Sequence, residues 1–171
     1  MDVDLPIASH LTNLSSFAIG TLRLLRVNIP SYSYLSKIVN FARMFKDCKN
    51  LQTAYGFGHN ITNIYSMNRM FGDCSWMSSC DLVLPSSMQH ESGYHGVFCN
   101  CNRLYEDVSS FFPPRGFTDD YVSLLDLFKN CNRLYGIVPS NLLWEKSTTR
   151  YGYINSTFLG CSAEILSQVP L

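Results

Sequence analysis

The sequence predicts an α/β solenoid, in which about five rungs, each a short helix followed by a short strand, stack along one axis. Three observations support this fold class: a Phe-x-x-Cys motif recurs, the apolar residues around it keep their offsets, and proline closes most of the predicted strands. Residues 1–33 are predicted to form a degenerate N-terminal capping unit. Residues 34–171 form the five-rung solenoid, in a single continuous domain.

The Phe-x-x-Cys motif sets the period. Its cysteines are separated by 26, 27, 30 and 30 residues, and a period of roughly 20 to 50 residues is typical of stacked supersecondary units. Four of the five repeats also carry Leu or Met three residues after the cysteine. The predicted structural core is therefore Phe45, Cys48, Leu51, Phe71, Cys74, Met77, Phe98, Cys101, Leu104, Phe128, Cys131, Leu134, Phe158 and Cys161.

Apolar spacing predicts the elements of each rung. Before the motif, apolar residues such as Phe41 and Met44 lie four and one residues ahead of the phenylalanine, which is the spacing of one helix face. After it the spacing shortens, as in Met77, Cys80 and Leu82, which indicates a strand with its apolar side inward. One such rung is too small to bury its own apolar residues, so neighbouring rungs must cover each other.

The two ends of the predicted solenoid differ. The N-terminal unit ends in the strand-like segment "LRLLRVNIP", which is similar to the later "LYGIVP". At the other end the sequence stops at Leu171, just after the predicted strand of repeat five and without a polar cap, so the chain is expected to be either a segment of a longer protein or a subunit whose end docks on something. The alternative is that the altered sequence "CSAEILSQ" lets repeat five itself act as the cap.

The repeat also resembles a known family. The segments "MFKDCKNL" and "MFGDCSWM" are similar to the BspA-type leucine-rich repeats of bacterial and protozoan surface proteins and of some phage-encoded proteins. The resemblance covers roughly residues 34 to 169. It implies a curved solenoid that serves adhesion or recognition, usually without catalysis. Within this pattern Asp107 and Gln168 stand where inward apolar residues are expected.

Charge and hydropathy exclude several partners. The chain has 13 basic and 13 acidic residues and no long basic cluster, so neither nucleic acid nor an anionic membrane is a predicted partner. No apolar run approaches the roughly 20 residues that span a bilayer, so membrane insertion is not predicted either. A net charge near zero does little to keep copies apart, which favours self-association.

A cluster of cysteine and histidine residues suggests an alternative to a binding module, namely a zinc site or a catalytic thiol. The segment "HESGYHGVFCNC" holds His90, His95, Cys99 and Cys101, which are residue types that bind zinc, and His95 could instead activate the Cys99 thiol. However, Cys101 already belongs to the apolar column, and no third group that would orient a nucleophile is evident. The sequence therefore predicts reduced structural cysteines, no catalytic residues, no metal and no cofactor.

Outward positions of the strands supply the predicted binding surface. Tyrosine carries a large, stiff contact area, and a neighbouring Arg or carboxylate adds specificity towards protein or sugar. Alternatively, the matching tyrosines of repeats three and four are inherited from repeat duplication. The candidate binding residues are Tyr55, Phe57, Asp81, Arg103, Tyr105, Glu106, Arg133 and Tyr135.

These observations favour a non-enzymatic binding or adhesion module that recognises protein or glycan at a cell surface, outside the cell or on a virion. The alternative is a structural subunit or segment of a larger assembly, such as a phage or surface-structure component. In that case the solenoid ends, the C-terminal rung above all, would form the contacts. A small zinc or thiol enzyme is the third hypothesis.

Overall fold

A computed structural model describes residues 1–5, 10–30, 32–58, 61–62, 64–90, 92–118, 123–140 and 154–169. Pro170 and Leu171, at the end of the predicted last strand, lie outside these residues. The strands are β1 (Asp2–Asp4), β2 (Arg26–Asn28), β3 (Thr53–Tyr55) and β4 (Ser79–Cys80). The helices are α1 (Ile154–Thr157) and α2 (Ala163–Leu166), with 3-10 helices at Tyr32–Lys37 and Val108–Phe111.

The four strands form one parallel sheet in the order β1-β2-β3-β4. Val27 pairs with Val3 on one side and with Ala54 on the other, and Ala54 pairs in turn with Cys80. Parallel neighbours need a long crossover between them, so the chain makes one circuit per strand. Beyond β4, a parallel bridge joins Asp107 to Tyr135.

The short helices predicted around Phe45, Phe71, Phe98 and Phe128 are wrong, because the chain forms consecutive turns there. The amides of Arg43 and Phe45 donate to the next repeat, the latter to the Met70 carbonyl at 2.8 Å. Between them the Met44 amide donates three residues back, to Phe41. An α-helix would direct every amide four residues back. Bonding between repeats therefore replaces helical bonding.

In each of the first four repeats these turns contain two left-handed residues, such as Arg43 and Asp47. In residues 45–48 the Cys48 amide donates to the Phe45 carbonyl at 3.1 Å, and the third residue, Asp47, has a φ of 63°. Gly, Asn and Asp enter this conformation most easily. They occupy the equivalent position throughout the described repeats and in the N-terminal capping unit, at Gly20, Asp47, Asp73, Asn100, Asn130 and Gly160.

Side chains at the same position also connect the repeats. The Asn130 side-chain amide donates to the Asn100 Oδ1 at 2.7 Å, and the Asn100 amide donates to the Asp73 Oδ1 at 2.7 Å. Lys46 forms ion pairs with Asp47 and Asp73. A polar column therefore runs along the turn side from repeat one to repeat four.

A stack of phenylalanine rings forms the centre of the core. Every residue of the predicted structural core is buried. The rings of Phe45, Phe71, Phe98, Phe128 and Phe158 lie 5.5 to 5.7 Å from their neighbours, with interplanar angles of 3° to 12°. Stacked aromatic pairs contribute about 0.5–1.5 kcal/mol each beyond the burial of their area. The repeated phenylalanine therefore joins successive repeats through their side chains.

The cysteine column joins successive repeats as well. Each thiol donates to the carbonyl at the phenylalanine position of the preceding unit, as Cys101 does to Phe71 at 3.2 Å and Cys131 to Phe98 at 3.0 Å. Ala18 fills that position in the N-terminal unit and accepts from Cys48. Burial raises the pKa of these thiols, so each keeps the proton that it donates. All seven cysteines are free thiols.

Repeat five ends differently from the prediction. Helix α2 stands where a strand was expected, because Ser162 caps its N-terminus and accepts a hydrogen bond from the Ile165 amide. From this helical segment the Glu164 carboxylate accepts from the Gly136 amide at 3.0 Å. Gln168 accepts from the Val138 amide at 2.9 Å and donates to the Gly136 carbonyl at 3.0 Å. The polar residue at an expected apolar position therefore bonds to the strand side of repeat four.

In repeat three, too, a polar residue stands at an expected apolar position and a helix replaces the predicted strand. Asp107 also stands where an inward apolar residue was expected, and its carboxylate accepts from the Ser109 amide at 2.9 Å. This contact caps the 3-10 helix Val108–Phe111, which replaces the predicted strand. Val108 and Phe111 of this helix are buried, so the helix supplies core side chains where the strand was expected to do so.

Phe57 contradicts its predicted outward position. It is fully buried, and its ring meets those of Phe45 and Phe71 edge to face at 6.3 and 5.8 Å. The cause is Gly56, whose φ of 97° interrupts the alternation of β3 after Tyr55. The next side chain therefore turns into the core.

Replacing Gly56 by alanine is expected to destabilise the fold much more than the same change at Gly20. Both residues have positive φ, but a Cβ at Gly56 would lie 2.5 Å from the Ile29 carbonyl oxygen, whereas nothing lies within 4 Å at Gly20. Left-handed alanine costs about 1–2 kcal/mol at either site, and the clash adds to this at Gly56 alone. Urea unfolding measures the difference; equal losses would show that Ile29 does not closely approach Gly56.

Two sets of hydrogen bonds join successive units, except that side chains of helix α2 and Gln168 replace strand pairing between repeats four and five. On the turn side the amides of one unit donate to carbonyls of the following unit, and on the strand side the chains pair in parallel. The apolar residues between these two sides belong to one cluster. We propose that the described residues form one continuous solenoid; its likeness to leucine-rich repeats stays a prediction.

Candidate binding surface

Exposed aromatic rings and arginines gather on the strand side of repeats two to four. The rings of Tyr105 and Tyr135 lie 4.9 Å apart with an interplanar angle of 41°. The guanidinium of Arg133 lies 5.5 Å from the centre of the Tyr105 ring, and that of Arg103 lies 3.6 Å from the Trp76 ring. Each Arg thus stacks on an aromatic residue of the preceding repeat, which fixes its long side chain.

A hydrogen-bonded polar row is part of the same side. The Tyr55 hydroxyl and the Ser79 Oγ are 2.8 Å apart, and the Ser79 hydroxyl donates to the Glu106 carboxylate. Ser79 belongs to β4 and Tyr55 to β3, so one hydroxyl group comes from each of two paired strands. We call the whole surface the strand face: Tyr55, Trp76, Ser79, Arg103, Tyr105, Glu106, Arg133 and Tyr135.

Most of the predicted binding residues lie on this face, but Phe57 and Asp81 do not act there. Phe57 is in the core. The Asp81 carboxylate accepts from the amides of Gly56 and Phe57, both at 2.9 Å. These bonds satisfy backbone donors of the preceding repeat, where β3 ends. Asp81 therefore holds the turn at Gly56 in place.

Trp76 belongs to the strand face, although sequence reasoning did not select it. Its side chain is 46% exposed. It stands two residues after a motif cysteine, as Arg103 and Arg133 do in the next two repeats. Aligning this column would have indicated that an aromatic residue and two arginines share one outward row.

The candidate zinc ligands are not assembled into a site. Among the described residues, no group of three or more His, Cys, Asp or Glu could hold a metal ion. His90 packs against the Tyr65 ring, while the Cys101 thiol donates to a core carbonyl. The pKa of His95 is lowered by burial and by nearby Arg69, although Asp126 lies 3.9 Å away. Burial raises the pKa of the Cys99 thiol, which opposes thiolate formation.

A cleft of about 380 Å³ lies beside the ends of the strands. The apolar part of its wall is formed by Leu84, Pro85 and Pro113. The polar groups of the wall belong to Ser86, Ser87 and Arg115. None of its described lining residues is His, Cys, Asp or Glu, so these residues offer no general base. The strand face has the larger set of ordered aromatic and charged groups.

Comparison with known proteins finds no matching family model, no matching curated protein and no matching solved structure. Within the described part of the chain, no helix has the length and apolarity needed to cross a membrane.

Proposed function

We propose that the chain is a non-enzymatic binding module that recognises a protein or a glycan through the strand face. The observation that carries this proposal is the ordered pair of Tyr105 and Tyr135, whose rings contact each other while Tyr105 remains 58% exposed. Tyrosine gives a large contact area and loses little conformational entropy on binding.

Preorganisation supports a binding role for this face. The backbone amide of Tyr105 donates to the Ser78 carbonyl at 3.1 Å, and the backbone amide of Tyr135 donates to the Glu106 carbonyl at 3.2 Å. The rings therefore project from backbone that is bonded to the preceding repeat. A ligand would order few additional groups on binding, which reduces the entropic cost of association.

The polar groups define what the ligand must offer. Arg103 and Arg133 can contact carboxylates or other anions, and Glu106 and the two hydroxyl groups of Tyr55 and Ser79 can bond to donors or sugar hydroxyls. Trp, Tyr and Arg also dominate the energetics of protein interfaces. The display of this module on a cell or virion surface rests on the family resemblance, and is part of the same proposal.

The test is binding to immobilised glycans and to extracellular proteins, compared between the wild type and the variant Tyr105→Ala/Tyr135→Ala. The control is Tyr65→Ala, which removes an exposed tyrosine whose ring packs on His90, away from the strand face. We expect saturable binding that the double variant weakens at least about thirtyfold, the loss typical of a hot spot. Absence of any ligand, or equal binding by the double variant, would overturn the proposal; thermal unfolding verifies that both variants fold.

A further inference from the structure

We propose that the ligand of the strand face is a glycan whose sugars carry carboxylate groups. This inference rests on the proposed binding function and names the chemical class of its ligand. Three observations carry it. The arginines of the face lack acidic partners among the described residues, their stacking leaves their donors available, and the spacing of the face matches that of a sugar chain.

The two arginines of the strand face are exposed and have no carboxylate partner among the described residues. The ion pairs of the described chain lie on the turn side or between the first two strands, and none includes Arg103 or Arg133. Two nearby carboxylates bond elsewhere: Glu106 accepts from the Ser79 hydroxyl, and Glu164 accepts from a backbone amide of repeat four. Two positive charges therefore remain available to an anionic ligand.

Stacking fixes both guanidinium groups without using their hydrogen-bond donors. Arg103 lies 3.6 Å from the centre of the Trp76 ring, and Arg133 lies 5.5 Å from that of Tyr105. The N–H groups of a guanidinium lie in its own plane, so stacking through its face leaves them free. Neither arginine donates to a described residue. Each can therefore bind a carboxylate through two parallel hydrogen bonds.

Further basic residues continue this row towards the N-terminus. The fifth residue after the phenylalanine position is, in successive units, Arg23, Asn50, Trp76, Arg103 and Arg133. Arg23 is exposed, as is Lys49 beside Asn50, and neither forms an ion pair with a described residue. Residues at one offset lie one above the other in a stack of equal units. A ligand along this row therefore passes four cations, which favours a chain with several negative charges over a single anion.

The spacing of the face favours a glycan over an acidic peptide. Tyr105 and Tyr135 occupy equivalent positions of successive repeats, and their rings lie 4.9 Å apart. Successive sugar rings of an extended glycan repeat at nearly this distance, so each repeat can contact one sugar. Side chains on one side of an extended peptide repeat every 6.6 Å or about that, and would lose register with the repeats. The exposed tyrosine rings can also pack on the C–H faces of sugars.

The test measures the affinity of oligomers of mannuronate and of galacturonate by titration calorimetry, beside the methyl ester of each. The ester keeps the sugar rings and removes the charge. The variant Arg103→Gln/Arg133→Gln is compared with the control Arg43→Gln/Arg115→Gln, which removes the same charge from exposed positions outside the strand face. Polyglutamate and single-stranded DNA serve as anionic ligands of other classes, and thermal unfolding verifies that both variants fold.

We expect the wild type and the control to bind an acidic oligomer. The ester should bind at least about tenfold more weakly, the loss expected when one hydrogen bond to a charged group is missing. The Arg103→Gln/Arg133→Gln variant should lose this preference for the acid.

Equal binding of acid and ester would contradict the carboxylate inference, yet would leave the proposed function standing if Tyr105→Ala/Tyr135→Ala weakens both. Tighter binding of polyglutamate or DNA than of either acidic oligomer would overturn the inference, as would no binding of the acidic oligomers. In these cases binding of an extracellular protein through Tyr105 and Tyr135 would still support the proposed function, so the two failures are distinguishable.

Discussion

Raising the pH above about 9 is expected to unfold the protein, because the folded state holds its thiol protons more tightly than the unfolded chain does. Burial raises the pKa of Cys74, Cys101 and Cys131 well above the ordinary value, and that of Cys161 to about 12. Ionisation would also remove the hydrogen that each of these thiols donates to a carbonyl.

The sign follows from the protons that each state binds. Below the ordinary thiol pKa of about 8.5 both states are protonated, and the stabilisation is fully present. Above it the unfolded chain loses protons that the folded state keeps, so stability falls by about 1.4 kcal/mol per pH unit for each thiol. For Cys74, Cys101 and Cys131 these losses add, and they act against a total stability of about 5–15 kcal/mol for a domain.

Urea unfolding at a series of pH values, under a reductant, measures this loss. Cys101→Ser is the matched variant, since its hydroxyl can still donate but does not titrate in this range. Its stability should fall with pH less steeply than that of the wild type, by about 1.4 kcal/mol per pH unit. A stability that stays constant up to pH 11, or equal slopes for both proteins, would show that these thiols are not buried as donors.

Replacing Phe98 by alanine is expected to remove about 3–5 kcal/mol from the free energy of unfolding. The ring is fully buried, stacks on Phe71 at 5.6 Å and on Phe128 at 5.5 Å, and meets Phe111 at 4.8 Å. Alanine would leave a cavity between three rings and interrupt the stack in its middle. The loss should therefore lie towards the upper end of the range.

Two further variants keep this prediction measurable. Phe98→Leu preserves most of the apolar volume and should cost roughly half as much as alanine, so it reports the cavity even if Phe98→Ala fails to fold. Tyr105→Ala removes an exposed ring and should change stability by less than about 1 kcal/mol. Urea unfolding of all three is the measurement. Comparable losses in Phe98→Ala and Tyr105→Ala would contradict a continuous core stack.

The buried columns could be predicted from the sequence because burial depends on the period. Phe98, Cys101 and Leu104 recur at offsets that place them on the inner side of every circuit, whatever local structure carries them. The same reasoning brought Tyr105 and Tyr135 to equivalent outward places, and their rings are in contact. Residues that repeat at one offset lie one above the other in a stack of equal units.

The local structure could not be predicted from the apolar spacing alone. Turns that close with bonds three residues back also place Phe41, Met44 and Phe45 towards one side, so the pattern fits turns as well as a helix. The distinguishing signal is the residue two positions after the phenylalanine. It is Asp47 or Asn100 where a helix interior would favour other residues, and these types tolerate positive φ.

Contacts between distant residues explain the remaining differences. The alternation of β3 predicted Phe57 outward, but Gly56 breaks it, and the Asp81 carboxylate of the next repeat holds that turn through two amides. Helix α2 likewise forms in a segment that the repeat pattern assigned to a strand, and Gln168 bonds to repeat four. Such partners lie more than twenty residues away in sequence, where spacing within one repeat carries no information.

The most direct test of stacking through the turns is the detection of hydrogen-bond scalar couplings by NMR in the deuterated protein. Couplings should join the Phe45 amide to the Met70 carbonyl, Phe71 to Val97, and Phe98 to Leu127, with a bond in each case between one repeat and the next. If the amides of residues 41–48 instead couple to carbonyls four residues back, these segments are helices. The repeats would then not be joined by the turn-side bonds on which the proposed continuous solenoid depends.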